Sequence, residues 1–114
     1  MTVHFTLPAD GPPIAGEADA LDVIGATFGQ GVTWVVIPAE RLPDAFFSLR
    51  TGLAGAILQK FVQYGLRLAV IGDVSRHVAA SDAFRDLVRE CNRGDQTWFL
   101  PTREEFDARV TAPR

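Results

Sequence analysis

Three short runs of the chain are apolar at nearly every position. Thr33 to Ile37 (TWVVI), Leu66 to Ile71 (LRLAVI) and Thr97 to Leu100 (TWFL) lack the alternation of a half-solvated strand. Strands covered on both faces read this way. Val3 to Leu7 (VHFTL) does alternate and predicts an edge strand. Between these runs the period lengthens to three and four residues. Ala18, Leu21, Ile24 and Phe28 form a stripe opposite Asp19 and Asp22, with Gly29 and Gly31 beyond it, so a helix is expected over 17–28. Phe84, Leu87, Val88 and Cys91 repeat the pattern ahead of Gly94, and Thr102 to Glu105 has capping-box spacing before Phe106 and Val110. Pro8 to Gly16 is turn chemistry, with Ile14-Ala15 a short candidate strand inside it.

Strands alternating with helices imply parallel crossovers. The expectation is one α/β domain over 1–114, with its core at about 17–110 and a frayed tail at 111–114. It has a mainly parallel central sheet of four to five strands, an N-terminal edge strand and about four helices. Periodicity does not set the strand order.

Residues 43–64 offer two readings. Phe46, Leu49, Leu53, Ile57, Phe61 and Tyr64 recur at helical steps, which suits one helix begun by Pro43. Gly52 and Gly55 oppose it, because an interior glycine costs roughly 0.5–1 kcal/mol relative to alanine. Either these glycines let the helix lie close against a neighbour, or the chain breaks near Arg50 and Thr51 caps a second helix through its hydroxyl. On the second reading Arg50, Thr51 and Gly52 stand at a helix N-terminus, which favours anions.

Composition narrows the class. The chain has 114 residues, 47% of them hydrophobic and 22% charged, and its net charge is −3. That is the balance of a globular domain with one core. It argues against general nucleic-acid binding, which needs a concentrated basic face. No apolar run reaches the length of a membrane span. Eight Phe and two Trp supply core bulk, and the single Cys91 has no partner for an internal disulfide. A cytoplasmic location is expected on that ground and from the absence of a signal-like start.

Open α/β sheets gather functional groups in the loops after the strand C-termini. Pro38 to Asp44, Gly72 to His77, and Thr102-Arg103 are those loops here. The candidate ligand- or partner-binding residues are Ser48, Arg50, Thr51, Gly52, Asp73, Ser75, Arg76 and Arg93, with Asp73 and Ser75 the best cluster. Asp73 and His77 lack a third metal ligand at suitable spacing, and nothing local activates Cys91. Neither a metal, a cofactor nor a catalytic residue is expected.

The run Phe46-Phe47, Leu49 to Gly55 (LRTGLAG) and Leu58 to Phe61 (LQKF), then Arg67 to Asp73 (RLAVIGD) and Glu90 to Gly94 (ECNRG), resembles a bacterial family of short proteins known as a domain of unknown function. More loosely, residues 32–110 are similar to STAS domains, the anti-sigma-factor-antagonist fold. That likeness implies a regulatory module and sets Thr51-Gly52 where such domains carry a phosphorylatable Ser/Thr-Gly. The motif itself differs, reading Ser48-Leu49-Arg50-Thr51-Gly52. The expected function is a non-enzymatic domain that binds a protein partner, with a second copy of the chain also a candidate. The alternative is a binding protein or an enzyme for a small anionic or nucleotide-like ligand held by Arg50, Arg76 and Arg93.

Overall fold

The apolar runs fall side by side. In the computed structural model, which describes residues 2–112, β1 (His4–Thr6), β2 (Trp34–Pro38), β3 (Arg67–Ile71) and β4 (Thr97–Leu100) form a single sheet. The order is β1-β2-β3-β4 and every neighbouring pair is parallel. The connecting segments carry α1 (Glu17–Gly25), α2 (Asp44–Phe47), α3 (Leu53–Gln63), α4 (Ser75–Ala80) and α5 (Asp82–Arg93), and α6 (Arg103–Thr111) follows β4.

That order has a geometric consequence. Parallel crossovers in one sheet are right-handed, so three made in the same direction put all their helices on one face. The packing agrees. Val35, Ile37, Leu68, Val70 and Phe99 share a core with Ala20, Val23 and Ile24 of α1, Phe46 and Phe47 of α2, Ala54, Ile57 and Phe61 of α3, and Phe84 of α5. The alternate strand positions, Trp34, Val36, Ala69 and Trp98, face the other way and meet Phe106 of α6. Both faces of the central strands are therefore covered, which is why they read as unbroken apolar runs.

The covering of the second face is aromatic. Trp34 and Trp98 lie 4.3 Å apart between ring centroids, and Phe106 stands edge-on to Trp34 at 5.5 Å. Two arginines fasten α6 over them. Arg103 donates to the Thr6 hydroxyl on β1 (2.9 Å), while the Arg109 guanidinium lies 4.2 Å over Trp98 and donates to the carbonyls of Asn92 and Gly94. Among the described residues the Trp34 indole N–H is the one buried side-chain polar atom without a hydrogen-bond partner.

Several expectations need correction. Ile14-Ala15 is not a strand: the Ile14 N–H donates to the Arg41 carbonyl (2.8 Å) and its side chain enters the first core. The sheet accordingly has four strands. Helix α1 buries Ala20, Val23 and Ile24, whereas Leu21 and Phe28 are exposed. Ile24 is the one residue of the expected stripe that is buried, and with Ala20 and Val23 it belongs to the core that α1 shares with α3. The helix also ends at Gly25, where the Thr27 hydroxyl donates to the Ile24 carbonyl (2.7 Å) and turns the chain. Among the described residues there are six α-helices where about four were expected, because breaks near Ser48–Gly52 and at Ser81 divide two helical stretches. The extended Ser81 caps α5 by accepting from the Phe84 N–H (3.1 Å). At the C-terminus Thr111 is still helical and its hydroxyl donates to the Asp107 carbonyl; the rest of the expected frayed tail, residues 113–114, lies outside the described residues.

Phe106→Ala is expected to lower stability by about 3–5 kcal/mol and to move tryptophan emission to the red. Both tryptophans of the chain lie in the cluster that α6 covers. Chemical denaturation followed by fluorescence measures both effects. A folded variant with an unshifted emission maximum would contradict this packing.

Candidate functional site

The break in residues 43–64 is built by two residues. Helix α2 stops at Phe47, Leu49–Thr51 forms one 3-10 turn, and Gly52 enters the left-handed region (φ 77°) before α3 begins. The Thr51 hydroxyl donates to the carbonyls of Ala45 (2.7 Å) and Ser48 (2.8 Å) and accepts from the Leu53 N–H (3.2 Å). It thus holds the corner from both sides. Gly55 is exposed, and nothing lies within 4 Å of where a Cβ would sit at either Gly52 or Gly55. Close packing of α3 falls instead to Ala54, which is buried.

The C-terminal ends of β2 and β3 open onto a groove of about 780 Å³. Gly72 makes that end possible. Its φ is 149°, and a Cβ there would stand 2.9 Å from the Ala39 Cβ, so only glycine lets the two strand ends close on each other. Pro13, Leu42, Pro43, Phe47 and Val74 give the groove its apolar lining, and Glu40, Asp44, Asp73, Arg76 and His77 its polar one. A second depression of about 390 Å³ shares Asp44, Phe47, Arg76 and His77 with it and continues to Ser48 and Ser81. The boundary between the two is an aromatic wall: the His77 ring lies flat on Phe47, with centroids 3.9 Å apart and planes 6° from parallel.

Charges in the groove are loosely held. Arg76 and Asp44 pair at 3.7 Å, both exposed, a geometry that contributes little in water. Burial lowers the His77 pKa below its ordinary value, Arg76 adds to this, and Asp44 opposes it. Hydrogen bonds from Ser75 lower that of Asp73; the Ser75 backbone N–H donates to its carboxylate at 2.9 Å. This turn is what positions the Asp73-Ser75 pair.

The sequence-derived candidates separate. Ser48, Asp73 and Arg76 line these depressions, and Ser75 lines a neighbouring one that reaches Phe99 and Pro101. Arg50, Thr51 and Gly52 line none of them. Arg50 is exposed and has no hydrogen-bond or ion-pair partner among the described residues. Arg93 lies at the other end of the sheet, just before β4 begins, and pairs with Glu90 at 3.1 Å. The three arginines proposed for an anion therefore do not converge. No group of three or more His, Cys, Asp or Glu side chains able to hold a metal occurs among the described residues. Cys91 is half-buried, and burial together with Glu90 raises its pKa.

The sequence sets Glu40 and Asp44 in the loop after β2 and His77 in the loop after β3, but nothing in their spacing, or in that of Phe47, marks the four as neighbours. Sequence reasoning also missed two structural clamps. Arg41 is buried and donates to the carbonyls of Pro8 and Pro12 (both 2.9 Å), which ties the 8–16 loop beside the groove. The Asn92 side-chain amide donates to the Phe99 carbonyl (3.0 Å) and accepts from its N–H (2.8 Å), closing the outer edge of β4. Asn92 of the Glu-x-Asn-Arg-Gly run thereby has a structural role.

Two outcomes follow from this geometry. Thr51→Ala is expected to cost about 1 kcal/mol, and Thr51→Ser to restore most of it, in urea denaturation; an unaffected alanine variant would remove Thr51 from the corner. The pH dependence has a definite sign. Both His77 and His4 have lowered pKa values, His4 chiefly through burial and then Arg103, with Asp107 opposing. The unfolded chain therefore binds more protons near the ordinary value of 6.5. Stability is complete above that value and is lost as the pH falls through it. A melting temperature that drops between roughly pH 7.5 and 5.5, and drops less in a His4→Gln, His77→Gln variant, is the expected result. A rise on acidification would contradict it.

No helix among the described residues is long and apolar enough to cross a membrane. No curated protein and no solved structure gives a significant match to the chain. One family model does match, and it covers residues 3–110, from the residue before β1 to the last turn of α6. A match of that extent takes in all four strands, both clamps and the groove, and the chain belongs to the family described as Domain of unknown function (DUF4180).

Proposed function

We propose that this domain is a protein-interaction module, STAS-like in plan and regulatory in role, whose contact surface is the groove at the C-terminal ends of β2 and β3. The observation that carries the reading is the form of that groove. It is open, it runs into a second depression, and prolines and an aromatic wall line it beside loosely paired charges. Such a surface suits a length of polypeptide more than a compact ligand, whose sites are enclosed and mostly apolar. Its position, where α/β sheets collect their functional loops, supports the same reading. The STAS-like element rests on the strand–helix order from β2 to α6, with Thr51-Gly52 at the start of α3.

The anionic-ligand alternative has less support. Arg76 alone of its three arginines lines the groove, opposite Glu40, Asp44 and Asp73. Thr51 as an acceptor of phosphate would have to give up the one hydroxyl proton that it shares between the carbonyls of Ala45 and Ser48.

A photo-crosslinking residue placed at Val74, in the groove, is expected to give a discrete adduct in the cell. The same residue at Leu21, on the exposed side of α1, gives none. The Val74 adduct should disappear when Asp73 and Arg76 are both alanine. Equal adducts from both positions, or one that survives the double substitution, would reject the groove as the contact surface.

A further inference from the structure

We infer that the groove takes an extended segment bearing an arginine or lysine, whose cation is held between the carboxylates of Glu40, Asp44 and Asp73 and the ring of His77; this rests on the interaction reading above. Charge complementarity carries it. The lining sets three carboxylates against the single guanidinium of Arg76. Burial and Arg76 both favour the neutral imidazole of His77, so the balance around the ring is formally two negative charges.

The His77–Phe47 stack supplies the second half of the site. Phe47 is buried beneath the imidazole, so the ring more open to the groove is that of His77, whose neutral form does not repel a cation and can stack on a planar one. Arginine adds a planar group that stacks on rings and offers paired donors to carboxylates. Arg76 already shows a guanidinium in a loose ion pair with Asp44 (3.7 Å), exposed and replaceable by an incoming cation at little cost. An inorganic phosphate or a nucleotide would meet the same three carboxylates and be repelled. Length argues for a chain over a free cation, since the groove continues past His77 into the second depression. Pro13, Leu42, Pro43 and Val74 give the apolar contacts that an extended backbone with alternating side chains can use.

The test is selection of random linear peptides displayed on phage against the full chain, repeated with an Asp44→Asn, Asp73→Asn variant and a His77→Ala variant. All three positions are exposed or half-buried, so these variants fold, which circular dichroism verifies. Enrichment of arginine or lysine at one position of the selected pool is expected, with binding at least about tenfold weaker for both variants and weaker at high salt. Selected peptides titrated into the labelled protein should shift the amides of Gly72 to His77. A pool that maps to the groove without basic enrichment, or one unchanged by the variants, overturns the cation site and leaves the interaction reading intact. A selection that yields nothing at the groove overturns both.

Discussion

The sequential parallel order of the sheet is the constraint on which the rest of the molecule depends. Because β1 to β4 follow one another across the sheet, the crossover helices must share one face. Among the described residues the helix on the opposite face is α6, nine residues long. Its coverage has to come from bulk, and the chain answers with Trp34, Trp98 and Phe106. A short helix over so large a face also needs fastening at both ends. Arg103 reaches β1 and Arg109 reaches the α5–β4 connection, each also lying over an aromatic ring.

The same order decides where a site can form. Every crossover leaves its strand at the C-terminal end, so the loops after β2 and β3 are neighbours there, and Gly72 lets them approach closely. Arg41 pulls the 8–16 loop onto that end from below and brings Pro13 to the groove. The corner at Thr51 turns the chain from α2 into α3 and sets Phe47 where His77 can stack on it. Groove, wall and charges are thus consequences of how neighbouring strand ends are joined.

Much of the fold was legible because its signals are local. An unbroken, β-branched apolar run such as WVVI reads as a strand buried on both faces, and the Phe84 to Cys91 stripe does pack on the core. The edge character of VHFTL was equally local. Errors came where two local signals were equivalent. The expected stripe through Ala18, Leu21, Ile24 and Phe28 and the buried set Ala20, Val23 and Ile24 both have helical spacing and share Ile24, and only packing against the rest of the core selects between them. Gly52 was correctly suspected, but whether it served packing or a turn depended on the neighbours of its Cα. The candidate site was half legible. Asp73, Arg76 and His77 fall in the loop after β3 and Glu40 and Asp44 in the loop after β2, both singled out by the strand-end rule, but that Phe47 joins them and that the two loops face one groove is decided only in space.

By itself, then, the sequence determined the class, the identity of the four strands, and the loops in which function would be sought. These properties depend on residue type and on periods of two to four residues. Tertiary structure alone decided the strand order, the face each helix covers, the separation of Arg93 from Asp73, and the stacking of His77 on Phe47. The reason is physical. Such features are distances between residues far apart along the chain, set by close packing and crossover handedness, and no local pattern of polarity encodes them.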